Sequence, residues 1–129
     1  MISFSVNLEP VPKGRPRYVV RGTFAVVYTP KETKQAQELF ISKAKAFCPK
    51  EPLTGALKVT LNFFKVKPKS YSKKIINWTK KPDLDNFAKL YLDAMNKIFY
   101  EDDSQIVTLI LNKSYSDVAK IEVFIESLI

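Results

Sequence analysis

The chain has 129 residues, 46% of them hydrophobic and only three of them glycine, enough for a single domain over residues 1–129 with its own core. It carries 21 lysines and arginines against 13 acids, a net charge of +8 that favours a polyanionic partner. There is no histidine and only one cysteine, Cys48, which excludes a histidine general base, a zinc cluster and an internal disulfide; any metal would be held by oxygen, as Mg²⁺ or Mn²⁺ are.

Ile2, Phe4, Val6 and Leu8 alternate with Ser3, Ser5, Asn7 and Glu9, the pattern of a half-buried strand. This start has no basic segment followed by an apolar one, and no apolar run approaches the ~20 residues of a membrane span. The expectation is a cytoplasmic protein without membrane contact, in which Cys48 is a buried or idle thiol. Residues 10–17 follow, with Pro10, Pro12 and Pro16 holding the backbone extended. They display Lys13, Arg15 and Arg17, with Arg21 just beyond, from a stiff loop that is either a solvated basic turn or a set of phosphate contacts. The runs 18–20 and 23–28 flank Arg21-Gly22 and predict a β-hairpin. Thr29-Pro30 is a favoured helix start, and the helix is expected over residues 30–47, with Ala36, Leu39, Phe40, Lys43 and Ala44 on its inner face.

Leu57, Val59, Leu61 and Phe63 then alternate with Lys58, Thr60, Asn62 and Phe64 in a long strand. Residues 65–81 hold seven lysines and no acid, with Tyr71 and Trp78 between them. Such a segment is ordinary solvated surface or a phosphate-tracking arm with rings for stacking; its position beside the acids that follow favours the second.

Those acids are the most distinctive feature. Between Pro82 and Asp103 there are six acids (Asp83, Asp85, Asp93, Glu101, Asp102, Asp103) against two lysines, a local balance of −4 in a basic chain. Asp83 is placed to cap a helix whose stripe runs Leu84, Phe87, Tyr91, Ala94, Met95, Ile98. Asp85, Lys89 and Asp93 recur every four residues on another face. Asp83 and Asp85 can converge on one cation, and Asp103 joins them if it folds back when helix and following strand pack antiparallel. Grouped carboxylates repel one another unless a cation neutralises them. Lys89 pairs with Asp85 at rest or reaches a phosphate oxygen. In the plainer alternative, Asp83 only caps, Asp85 and Lys89 form a surface pair worth ~0.3–0.5 kcal/mol, and residues 101–103 are a polar turn. Residues 106–113 and 118–126 are expected to be strands pairing as an antiparallel hairpin.

Asp83-Leu84-Asp85-Asn86, Lys89, Asp93-Ala94 and residues 102–107 together resemble the core motif of the RusA family of Holliday-junction resolvases, endodeoxyribonucleases common in prophages. Residues 12–17 also resemble the basic N-terminal loop of many members. The resemblance implies an α/β (α+β) homodimer that binds four-way DNA junctions and cuts two strands symmetrically with Mg²⁺ or Mn²⁺ and no organic cofactor. We expect a mixed sheet of five to six strands with two main helices packed on it. The resemblance makes Asp83, Asp85 and Asp103 metal ligands and Lys89 catalytic, with Asp93 and Asp102 in support. Asn86 orients a carboxylate or water, or caps the helix. The expected DNA contacts are Lys13, Arg15, Arg17, Arg21, Lys67, Lys69, Lys73, Lys74, Lys80 and Lys81. Phe24, Val26 and the Phe63-Phe64 strand are the candidate dimer surfaces. A flap or fork nuclease and a non-catalytic junction-binding module are the rival functions.

Overall fold

A computed structural model describes residues 1–14, 17–22, 24–28, 31–75 and 77–128, with residues 17–21 and 24–28 described by backbone alone. The elements are strands β1 (Ile2–Val6), β2 (Arg17–Arg21) and β3 (Phe24–Tyr28), helix α1 (Lys31–Ala44), strand β4 (Leu57–Val66), helix α2 (Leu84–Met95), and strands β5 (Ile106–Ser116) and β6 (Lys120–Ser127). Short 3₁₀ turns follow α1 and precede β5. The order of strands and helices expected from the sequence is the one observed. Among the described residues, no helix is long and apolar enough to cross a membrane.

The main sheet has four strands in the order β1-β6-β4-β5, rather than five to six, because β2 and β3 pair only with each other in a separate antiparallel ribbon. Its centre is β4, whose Leu57, Val59, Leu61 and Phe63 are fully buried and whose intervening residues are partly solvated. The alternation of β4 sets which face is buried, and both of its edges are paired: β6 lies antiparallel on one side, and the crossover through α2 returns β5 parallel on the other. This overturns the expected hairpin of the last two strands. Residues 117–119 join β5 to β6 across the end of β4, a gap of about 10 Å that a few extended residues span.

Both helices pack on one face of the sheet. Phe40 and Ala44 of α1 and Phe87, Leu90, Tyr91 and Met95 of α2 join Phe4, Val6 and the inward residues of β4 and β6 in one apolar cluster. Rings account for much of it: Phe63 stacks on Phe87, and Phe40 meets Tyr91 edge-on. Leu39, expected inside, is 50% exposed, since the buried stripe of α1 is Thr33, Phe40 and Ala44. Helix α2 stops at Met95, before Ile98, because Asn96 turns extended and Lys97 takes a positive φ of 71°. The Cys48 thiol is free and half-buried and donates to the carbonyls of Pro49 and Ile98. Phe63 is excluded as a dimer surface by its burial. Thr29 and Pro30, and the side chains of Phe24 and Val26, lie outside the described residues.

Candidate active site

Pro82 breaks the lysine-rich segment, and Asp83 (φ −74°, ψ 150°) is the extended residue from which α2 starts. The amides of Asn86 and Phe87 donate to its carbonyl, while its carboxylate makes no cap hydrogen bond. Asp83, Asp85 and Lys89 are all exposed, and among the described residues none of them forms an ion pair within 4 Å. The plainer reading, a carboxylate engaged in capping beside a closed Asp85–Lys89 pair, is therefore not the arrangement observed. Among the described residues neither carboxylate has a partner, and both sit at the positive end of a helix, where its unpaired amides favour negative charge.

The backbone leading to Asp83 is held from β5. Lys113 Nζ donates to the carbonyls of Lys80 and Pro82, each at 2.8 Å, and lies 5.2 Å from the Trp78 ring centroid. Trp78 is 3% exposed, packed between Phe87 and Tyr115, with Lys65 near its ring as well. A buried indole beneath the loop and a lysine gripping two of its carbonyls set where Asp83 begins.

On the other side, residues 11–14 lie along α2. The Val11 amide donates to the Tyr91 hydroxyl (2.8 Å), the Lys13 amide to the Asn86 carbonyl (2.9 Å), and the Gly14 amide to Thr33 Oγ1 (3.0 Å). Burial pushes the Tyr91 phenol up to about 12, only partly offset by the Val11 amide, so it stays neutral and accepts that bond. Lys13 Nζ reaches Asp93 at 2.7 Å, which gives Asp93 the task of tying down the basic loop. Pro12, Lys13, Lys81, Pro82, Asp83 and Asn86 line a cavity of about 500 Å³ at the head of the acid motif, with the Lys13 ammonium drawn along α2 to Asp93. The side chains of Arg15, Arg17 and Arg21 lie outside the described residues.

The remaining acids sit at the far end of α2. Asp102 accepts from the Ser104 amide (3.1 Å), and these bonds lower its carboxyl below its ordinary value. Gln105 accepts from the Asp102 amide and donates to the carbonyls of Leu53 and Gly55, fastening this turn to the chain before β4. Asp103 is exposed. Burial first, then the charges of Asp103, Asp93 and Asp102, raise Tyr100, whose hydroxyl donates to the Leu92 carbonyl. These acids therefore neighbour one another, whereas Asp83 and Asp85 stand a helix away, roughly 18 Å for twelve residues at 1.5 Å each. Antiparallel packing of α2 on β5 places the start of β5 beside the end of the helix. That corrects the expectation that Asp103 folds back onto Asp83 within one chain. Among the described residues, no three acids are grouped closely enough to hold a metal ion.

In the lysine-rich segment, Lys69, Lys73, Lys74, Lys80 and Lys81 are exposed, as a phosphate-tracking arm requires. Lys67 instead donates to the carbonyls of Ser72, Lys73 and Ile75, closing the loop on itself. Trp78 is buried, and Tyr71 packs edge-on against Tyr115, so neither ring is the open stacking platform expected.

The sequence matches the family profile described as endodeoxyribonuclease RusA over residues 7–126. The chain belongs to the RusA family. It is also 34% identical to the Bacillus subtilis (strain 168) uncharacterized protein YqaN, over 96% of this chain and 94% of that one. Membership makes this a nuclease fold, and RusA nucleases are endodeoxyribonucleases.

Within this RusA chain, Lys113, Tyr91 and Gln105 carry the site's architecture; sequence reading had Tyr91 only in the apolar stripe of α2 and Gln105 only within the family-like motif, and it passed over Lys113. Lys113 left a signal. It falls in phase with Leu109 and Leu111, opposite fully buried Phe63, and a charge on the inward face of a strand calls for a partner.

Proposed function

We propose that this RusA-family chain is a Mg²⁺-dependent endonuclease, with Mn²⁺ as a substitute, that cuts branched DNA at four-way junctions as a homodimer. The observation that carries this is the exposed pair Asp83 and Asp85 at the head of α2, without an ion-pair partner among the described residues, beside a cavity lined by Lys13 and Lys81 and one turn before Lys89. Oxygen-only donors in a chain without histidine fit a hard divalent cation.

In this reading, Asp83 and Asp85 supply two ligands and Asp103 the third. Since one chain holds them a helix apart, Asp103 reaches the pair only from a second copy. A divalent cation held by these carboxylates would supply Lewis acidity, activating a water and neutralising charge on the leaving oxygen. Lys89 neutralises charge that develops on the phosphate in the transition state. Lys13 and Lys81 orient the strand at the cavity, Asn86 lines it, and the exposed lysines of residues 69–81 hold the flanking duplex. Asp93 and Asp102 support the site by holding Lys13 and the turn before β5.

The test is cleavage of a labelled four-way junction, a linear duplex and a flap of matched sequence, with Mg²⁺ and with EDTA. Paired symmetric nicks on the junction alone, lost in EDTA, are expected. Equal cutting of the flap would replace the junction with a broader branched substrate, and tight junction binding without cutting would make the chain a binding module.

A further inference from the structure

We propose that Asp93 is a resident counter-ion which DNA displaces: it holds the Lys13 ammonium in the unbound chain, and a backbone phosphate at the head of α2 takes that ammonium from it. The inference rests on the reading of the cavity at Asp83 as the place where DNA lies, and it names a residue that sets how readily DNA enters.

Lys13 belongs to two places at once. Its amide donates to the Asn86 carbonyl at 2.9 Å, and the residue lines the cavity together with Asp83 and Asn86. Its ammonium lies elsewhere, 2.7 Å from Asp93 Oδ2. Asp93 is seven residues beyond Asn86 on α2, roughly 10 Å at 1.5 Å each. It lines a different hollow, the groove between α1 and α2, with Gln37, Ile41 and Ala94. The side chain is thus rooted at the cavity and drawn out of it along the helix.

The backbone can keep its path while the ammonium moves. The Val11 and Gly14 amides donate to the Tyr91 hydroxyl and to Thr33 Oγ1, and both of those residues are 1% exposed. With the Lys13 amide, three main-chain donors pin residues 11–14 to the two helices, so only the flexible four-carbon stem has to turn. The ion pair itself is partly in water, its side chains 28% and 41% exposed, and such pairs are weak. Solvent takes up the Asp93 carboxylate once the lysine leaves. A phosphate has the stronger claim, because moving the ammonium onto DNA releases condensed counterions, a gain that a single carboxylate does not offer. The cavity also needs the cation, since Asp83 in its wall repels an incoming phosphate. Breaking the pair therefore opposes binding, and Asp93 weakens affinity for DNA without touching it. An acid that only anchored the loop would strengthen binding instead.

The test is a double-mutant cycle on the full chain, read as binding of a labelled four-way junction in EDTA over a salt series. The proteins are wild type, Asp93→Asn, Lys13→Met and the two changes together. Asp93→Ser is made beside Asp93→Asn as a second neutral side chain, and thermal unfolding identifies the folded variants. Removing the carboxylate should tighten binding roughly two- to five-fold, the range of a partly exposed pair that no longer has to be broken. The slope of log Kd on log salt should stay the same, since Lys13 meets its phosphate in both proteins. Lys13→Met should flatten that slope by about 0.9, one phosphate contact. In the Lys13→Met background, Asp93→Asn should change nothing. Unchanged or weaker binding by folded Asp93→Asn and Asp93→Ser overturns the proposal and makes the pair an anchor. A steeper slope for Asp93→Asn overturns it too, because Lys13 would then stay on Asp93 in the wild-type complex. So does tightening that persists without Lys13, which is plain repulsion between Asp93 and DNA. Cutting with Mg²⁺ is scored separately: a wild type that binds and never cuts rejects the nuclease reading while the cycle still decides the exchange, and a wild type that binds no DNA rejects both.

Discussion

Lys113 Nζ lies 2.8 Å from the Pro82 carbonyl oxygen, so a cation on β5 sets where the acid-bearing helix begins. Lys113→Met keeps length and removes the donor for two carbonyls. We expect a stability loss of about 1.5–3 kcal/mol, the range for hydrogen bonds to charged groups. Cutting should fall about 100-fold through kcat rather than KM, as a misplaced reacting group does. Lys113→Arg should recover stability more fully than cutting, since a guanidinium fork does not reproduce a point ammonium between two carbonyls. Urea unfolding and single-turnover cleavage separate the two effects; a variant that loses stability and keeps wild-type kcat would make Lys113 scaffold alone.

The split of the acids makes a mixing experiment decisive. Asp83→Asn and Asp103→Asn should each be inactive while still binding junctions, and Asp83→Asn should bind as tightly as wild type or more so, having shed a charge that repels phosphate. Mixed and allowed to exchange, the two variants form heterodimers in which one site has both acids intact. Recovery of about a quarter of the wild-type sites follows if exchange is random and each site draws on both copies. The recovered activity should nick one strand per dimer. A mixture as dead as its components would place the three acids in a single chain.

How much was legible beforehand follows from the range of the interactions. The α2 stripe and the phase of β4 are local, and periodicity shows them: Phe87, Tyr91, Ala94 and Met95 are buried as their spacing requires. Pairing is not local. Nothing in residues 106–126 says that β4 lies between the last two strands, since alternation fixes a strand's buried face and not its edge neighbours. The same holds for the site. The free head of α2 was readable from Pro82 and Asp83, but the direction in which β5 leaves the helix decides that Asp103 is remote. Trp78 and Lys67 misled because composition shows a lysine-rich segment with rings, while packing turns the indole inward and closes the loop around one ammonium.

That distinction within the loop is testable by salt. Lys73→Ala with Lys74→Ala removes two exposed cations and should flatten the dependence of log Kd on log salt by about 2, at roughly 0.9 per phosphate contact. Lys67→Ala should leave that slope almost unchanged and lower thermal stability, since its three carbonyl acceptors lose their donor. Filter binding of a junction from low to physiological salt reads both. An unchanged slope for the double variant would remove this arm from the DNA contacts.

The Tyr91–Val11 bond predicts an alkaline limit to stability. Burial raises the Tyr91 phenol from 10.0 to about 12. A group raised on folding contributes stability that is complete below its unfolded value and is lost as pH climbs through the folded one, so the loss runs from pH 10 to about 12. Two pH units correspond to about 2–3 kcal/mol, and Tyr100, raised in the same direction, adds to the slope. Tyr91→Phe should cost about 1–3 kcal/mol at pH 7, because the Val11 amide loses its acceptor. It should also make the decline above pH 10 shallower. Urea midpoints from pH 7 to 12 check this; parallel curves for the two proteins would mean that Tyr91 ionises as freely folded as unfolded.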